Sequence, residues 1–289
     1  MKDPAFLLGW SYSALIVYNR CGLSTGGEVL RRSLLAVFAH PDDESYEPGG
    51  TLARYAAEGV ELHLVTATQG EEGTLGDPPL CAREELGRVR EAELRCACQA
   101  LGIDDLRLLN YRDGTLDQQD PDEIEEKIVR AIRELRPQVV LTFPPDGITG
   151  HLDHVTVHRC TVRAFEHAGD GTFFPQHIDQ GLTPYSPAKL YFDALPSERV
   201  RAMGLDLTSH DEHITTVIDV AGYIDAKMSA IRCHRTQTDF PSLTPEQAHE
   251  FLSQEHFWLA YPTLPPGVKE NDLFQGAPNV APGTLGGDL

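Results

Sequence analysis

Ser33-Leu34-Leu35-Ala36-Val37-Phe38-Ala39 runs directly into His40-Pro41-Asp42-Asp43-Glu44. The first seven residues are an apolar run of strand length. Three carboxylates and an imidazole then fall within five residues. Buried together without compensation they would repel one another and lose solvation, and a bound cation is the simplest reason for them. A continuous apolar strand with its chemistry concentrated at the C-terminal end is also what a parallel sheet covered on both faces presents.

Outward from this junction the chain alternates. Gly49-Gly50 opens a helical stretch through Ala57 that Gly59 closes. Residues 60–66 are β-branched and apolar and read as a second strand. A helix over 83–101 carries an irregular apolar face, and 106–109 is a third short strand. In 121–136, Ile124, Ile128, Ala131, Ile132 and Leu135 form one stripe before Pro137. Residues 139–143 make a fourth strand, and a helix follows over 153–167. Strands are expected at 189–194 and 213–220, and helices at 223–234 and 245–257. The expectation is an α/β fold, a Rossmann-like, largely parallel sheet with helices on both faces. The loops holding His40, Gln69 to Gly73, Asp113 and His151 each follow a strand, so they converge on the C-terminal rim, where such sheets bind ligands.

Three parts are expected: an N-terminal extension over 1–32, one domain over 33–261, and a Pro/Gly-rich tail over 262–289 with no core of its own. The formal charge of −20 argues against nucleic acid or an anionic membrane as partner. No apolar stretch reaches the length of a membrane span. Cys21, Cys81, Cys96, Cys98, Cys160 and Cys233 show no C-x-x-C pair or dense secreted pattern. They read as reduced thiols of a cytoplasmic protein, free to form a homo-oligomer.

The second cluster, Gly150-His151-Leu152-Asp153-His154, supplies two more imidazoles. With His40-x-x-Asp43, it offers a His/Asp/His set with one open position, as in a catalytic zinc site. Asp42 would sit beside the metal as a proton acceptor, and one of His151 and His154 would face the substrate's developing oxyanion. Asp153 would hydrogen-bond one of the two rings.

This combination resembles the LmbE/PIG-L family of zinc-dependent de-N-acetylases. That family includes the deacetylases of mycothiol and bacillithiol biosynthesis and of N-acetylglucosaminyl-phosphatidylinositol. The resemblance rests on Ala-His-Pro-Asp-Asp-Glu at 39–44, Gly-Gly at 49–50, Thr-Gln-Gly-Glu-Glu-Gly at 68–73, Arg-Glu-x-Glu at 90–93, Asp-Gly at 113–114 and Gly-His-x-Asp-His at 150–154. It implies His40, Asp43 and His154 as ligands of Zn²⁺, with Fe²⁺ or another divalent ion as alternatives. It further implies Asp42 as base, His151 as electrophile oriented by Asp153, and Arg90, Asp113 and Glu72 or Glu71 as substrate contacts. Thr149 stands where some members carry a tyrosine.

The activity so implied is removal of the N-acetyl group from an N-acetylglucosamine conjugate, a small amino-sugar substrate, with a bacillithiol-pathway deacetylase as the specific role. A mycothiol-S-conjugate amidase is the enzymatic alternative. A sugar-binding pseudoenzyme on the same scaffold is the non-catalytic one. A phosphate-responsive receiver domain also pairs aspartates after its first strand, but gives no role to His151 or His154.

Overall fold

A computed structural model describes residues 31–204, 206–238 and 243–278. Residues 1–30 of the extension expected over 1–32, Cys21 among them, and residues 279–289 of the tail therefore lie outside the described residues. Seven strands form one sheet in the order β3-β2-β1-β4-β5-β7-β6. The strands are β1 (Ser33–Phe38), β2 (Glu61–Thr68), β3 (Asp105–Tyr111), β4 (Val139–Thr142), β5 (Lys189–Asp193), β6 (Thr216–Asp219) and β7 (Gln254–Tyr261). The first five run parallel, and β7 is antiparallel to both β5 and β6. Every residue of β1, β4 and β5 is buried, which is why β1 and β4 read as near-continuous apolar runs, while β5 buries Lys189 and Asp193 at its two ends.

The helices are α1 (Asp43–Tyr46), α2 (Gly49–Ala57), α3 (Leu86–Leu101), α4 (Pro121–Leu135), α5 (Leu152–His167), α6 (Pro175–Asp179), α7 (Ser197–Ala202), α8 (Ile224–Cys233) and α9 (Pro245–Leu252). α2 packs against α3, and α4 against α5. α8 packs on α2 and α3. The boundaries follow local chemistry. Asp120 caps α4 by accepting from the Asp122 N–H, with Pro121 in the first turn, and Gly102 at φ 75° ends α3.

Two expectations are corrected. The helix expected over 245–257 stops at Leu252, and residues 254–261 form β7, whose Glu255, Phe257 and Leu259 alternate inward. The inward Glu255 disguises that alternation. Its carboxylate accepts from Lys227 Nζ at 2.6 Å and from the Gly50 and Thr51 N–H groups at 2.8 and 2.6 Å, at the start of α2. In addition, Cys96 of α3 and Cys233 of α8, expected as thiols, form a disulfide across 137 residues of sequence. Two packed helices bring together what spacing along the chain keeps apart. Cys81, Cys98 and Cys160 are free.

The Pro/Gly-rich segment, described to residue 278, runs in turns, not as the extended tail expected, and is anchored to the main core. Leu273 and Phe274 are buried, Tyr55 Oη accepts from the Leu273 N–H at 2.7 Å, and Glu270 pairs with buried Lys189 at 2.8 Å.

Candidate active site

The loops after β1, β2, β3 and β4 meet at one rim and line a cleft of about 430 Å³ together with Asp193 at the end of β5. His40 lies at its centre. Its Nε2 faces Asp113 Oδ1 at 3.0 Å and Asp153 Oδ2 at 3.3 Å, so this nitrogen carries the proton. His154 Nδ1 donates to the Gly147 carbonyl at 3.0 Å, which leaves its Nε2 without a proton in the neutral ring. The two remaining nitrogens, His40 Nδ1 and His154 Nε2, stand 3.1 Å apart. Asp43 Oδ1 is 3.5 Å from His154 Nε2, and Asp43 Oδ2 is 3.8 Å from His40 Nδ1.

A proton on His40 Nδ1 can donate to His154 Nε2 across this gap, and once it is lost the two ring lone pairs and the Asp43 carboxylate form a donor set for a cation. Tetrahedral coordination at about 2.0–2.1 Å puts ligand atoms about 3.3 Å apart, so the donor set fits one divalent ion with little movement. The set His40–His151–His154 and the set His40–Asp113–Asp153 each bring their ligand atoms within 4.8 Å. In the second set the Asp153 oxygens already accept from the Gly114 and Leu116 N–H groups at 2.7 and 3.0 Å. That set serves to orient His40.

Electrostatics agree with this division. Burial opposes charge on His40, but the hydrogen bonds it donates to Asp113 and Asp153 and the charge of Asp43 outweigh it and push the ring to about 10. The same negative field attracts a metal ion. Burial depresses His154 below the usual imidazole range, keeping it in the neutral, ligating form. Phe143 stacks on the His154 ring at 4.0 Å, and His158 holds the Phe143 carbonyl through Nδ1 at 2.8 Å.

Asp42 sits beside this group in the left-handed region, at φ 116°. Its backbone N–H donates to Glu44 Oε2 at 3.0 Å, and Glu44 in turn accepts from buried His234 at 2.8 Å. Burial pushes the Asp42 carboxyl up to about 7, Arg90 pulling it down and Asp43 adding to the rise. A carboxyl poised there can exchange a proton near neutral pH.

Arg90, expected at the sugar, lines the cleft and also binds the Asp42 carboxylate. Its guanidinium donates to Asp42 Oδ2 and to the Gly70 carbonyl, both at 2.8 Å, and to the Pro41 carbonyl. A Cβ on Gly70, at φ 66°, would lie 2.2 Å from Arg90 Nη1, so only glycine admits this guanidinium.

His151 is the N-cap of α5, its Nδ1 accepting from the Asp153 N–H at 3.1 Å. Its Nε2 is therefore the protonated nitrogen of the neutral ring. The Asp153 carboxylate faces His40, not His151 as expected, because the helix start turns only the Asp153 backbone toward His151. The His151 ring lies 4.8 Å from that of His40.

Glu72 lines the cleft and pairs with Arg112 at 3.0 Å, whereas Glu71 accepts from the Asp113 N–H at 3.1 Å. Of the two, Glu72 is the one facing the cleft. Burial works against ionised Asp113, and its bond to His40 overrides this and holds it at about 2.

Sequence reasoning missed Glu44–His234, Gln237 and Asp193. Glu44 lay in the first cluster, but the other three are single polar residues without local pattern. Burial pushes the Asp193 carboxyl well above the usual range, with Glu47 and Glu255 adding like charge.

The sequence profile of the GlcNAc-PI de-N-acetylase family, PIG-L, matches residues 35–165. A 1D-myo-inositol 2-acetamido-2-deoxy-alpha-D-glucopyranoside deacetylase of Streptomyces griseus subsp. griseus is 37% identical, over 88% of this chain and 91% of its own length. The protein of the same description from Rhodococcus jostii is 39% identical, over 85% and 98%. The N,N'-diacetylchitobiose deacetylase of Pyrococcus horikoshii superposes with a TM-score of 0.64 at 23% identity, covering 82% of this chain and 87% of that one. The chain belongs to the PIG-L de-N-acetylase family.

Proposed function

From that membership, we propose that the protein hydrolyses the acetamide of an N-acetylglucosaminyl-inositol, releasing acetate and a free amine. The relatives' named substrate supports an inositol aglycone, in place of the bacillithiol-pathway role expected from the sequence. The observation that carries the chemistry is the convergence of His40 Nδ1, His154 Nε2 and the Asp43 carboxylate beside a base near pKa 7.

These three residues would hold one divalent ion, and zinc suits a two-nitrogen, one-carboxylate set with a position left open. When bound, the ion supplies Lewis acidity that activates water and polarises an amide carbonyl. Asp42, ionised, takes the proton of the attacking water and returns it to the leaving nitrogen. Arg90 fixes the Asp42 carboxylate toward the cleft. His151 presents its Nε2–H to the oxygen on which negative charge grows. Asp113 and Glu72 border the cleft where sugar hydroxyls bind.

The test is amine release from N-acetylglucosaminyl-inositol by purified protein, after chelation and after zinc is added back. Activity that chelation abolishes and zinc restores is expected. Metal-loaded protein that binds the sugar without turnover would establish the pseudoenzyme instead.

A further inference from the structure

The cleft extends past the His40–Asp43–His154 group in a direction the proposed chemistry does not use. On the β2–β3 side lie Glu72, Arg90 and Asp113; on the β5 side lie Asp193, Arg199 and Glu47, with Met203, Leu207 and Leu252. Asp193 is only 2% exposed, and its Oδ1 has no hydrogen-bond partner among the described residues. Its neighbours differ. Glu47 pairs with Arg199 at 3.1 Å, and Glu255 with Lys227 at 2.6 Å. A buried carboxyl oxygen left unpaired destabilises the free protein, and a ligand hydroxyl is what removes that cost.

The wall beside it is apolar. Apolar side chains against the C–H face of a ring, with a carboxyl at its edge, are a fitting combination for a polyol. A cleft of about 430 Å³ has room for more than one sugar ring.

We propose that Asp193 is a specificity-determining residue that hydrogen-bonds a hydroxyl of the second ring of the conjugate, on the β5 side of the cleft. The inference rests on the deacetylase reading above and assigns the subsite for the group attached to the amino sugar. Met203, Leu207 and Leu252 pack against that ring, and the Glu47–Arg199 pair closes the subsite.

The experiment is steady-state amine release by the metal-loaded full-length protein. Two substrates are compared, N-acetylglucosamine and its 1-O-linked myo-inositol conjugate. The proteins are wild type, Asp193→Ala and Asp193→Asn, each with its metal content measured. Asp193→Ala should lower kcat/KM for the conjugate on the order of 3- to 10-fold, the worth of a hydrogen bond to a neutral carboxyl group, mostly through KM. The single-ring substrate should change by less than about twofold, since it does not reach the subsite. Asp193→Asn, which keeps an acceptor, should recover part of the loss.

Equal losses on both substrates would make Asp193 a structural residue, and loss of metal would place it in the metal site. Unchanged kinetics on both would mean no contact. Each of these overturns the inference while leaving the deacetylase reading in place. Wild-type protein that releases amine from neither substrate removes both.

Discussion

Asp42 is held from three sides, by Arg90 on its carboxylate, by Glu44 on its N–H and by a backbone at φ 116° that points it into the cleft. Such placement is useful for a group that must be ionised to accept a proton. With its carboxyl pushed up to about 7 by burial, kcat/KM should fall as pH drops through that region. A bound divalent cation favours the carboxylate, so the acid limb of the holoenzyme's pH–rate profile should lie at or below about 7. Asp42→Asn should keep the metal, lose this limb and lose on the order of 10²-fold or more in kcat. Near wild-type turnover in the metal-loaded variant would exclude Asp42 as base. The metal ligands should separate from it cleanly. Purified wild type should carry about one divalent ion per chain by elemental analysis, and His40→Ala and His154→Ala should each lose it. Retention in both would move the site to another donor set. These residues were legible in the sequence because the chemistry is packed into two short strings after apolar strands. Asp193 and His234 were not, since long-range packing alone brings Asp193 to the cleft and His234 to Glu44.

At the scale of elements, the parallel half of the sheet was readable because β1, β2 and β4 are short apolar runs between helical stripes. The antiparallel half was less so. In β7 an inward glutamate replaces the apolar residue that alternation demands, and only its partners Lys227 and α2 explain it. The same limit hides the disulfide between α3 and α8. These helices bear on the site from both ends, since α3 carries Arg90 and His234 directly follows α8. Closing a loop of 137 residues restricts the unfolded chain, and Cys96→Ser should lower stability by about 2–4 kcal/mol. Urea unfolding with and without reductant measures this. Wild type should shift to the variant's midpoint on reduction, and an unmoved midpoint would mean that the bond contributes nothing.

Across the whole molecule, function and fastening occupy opposite ends of β5. Asp193 at its C-terminal end borders the cleft, whereas Lys189 at its N-terminal end grips the segment after β7. Four residue steps along the strand separate them by about 13 Å. Lys189 donates to both Glu270 oxygens, at 2.8 and 2.9 Å, and to the Gln275 carbonyl at 2.7 Å, and Tyr191 Oη also donates to Glu270. A Pro/Gly-rich sequence gives no sign of such an anchor, because the apolar residues it contributes, Leu273 and Phe274, find their core in Tyr55 and its neighbours. Removing one member of a buried ion pair leaves the other charge uncompensated, so Glu270→Ala should cost about 3–5 kcal/mol. Replacing both charges, as Lys189→Met with Glu270→Leu, removes that uncompensated charge and should recover much of the loss. The decisive comparison is between stability and chemistry. Thermal unfolding should separate the single from the double variant, while metal content and kcat/KM at a temperature where both are folded should match wild type. A double variant as unstable as the single one would show that shape, not charge pairing, holds the segment. A fall in kcat/KM with metal retained would show that the two ends of β5 are coupled.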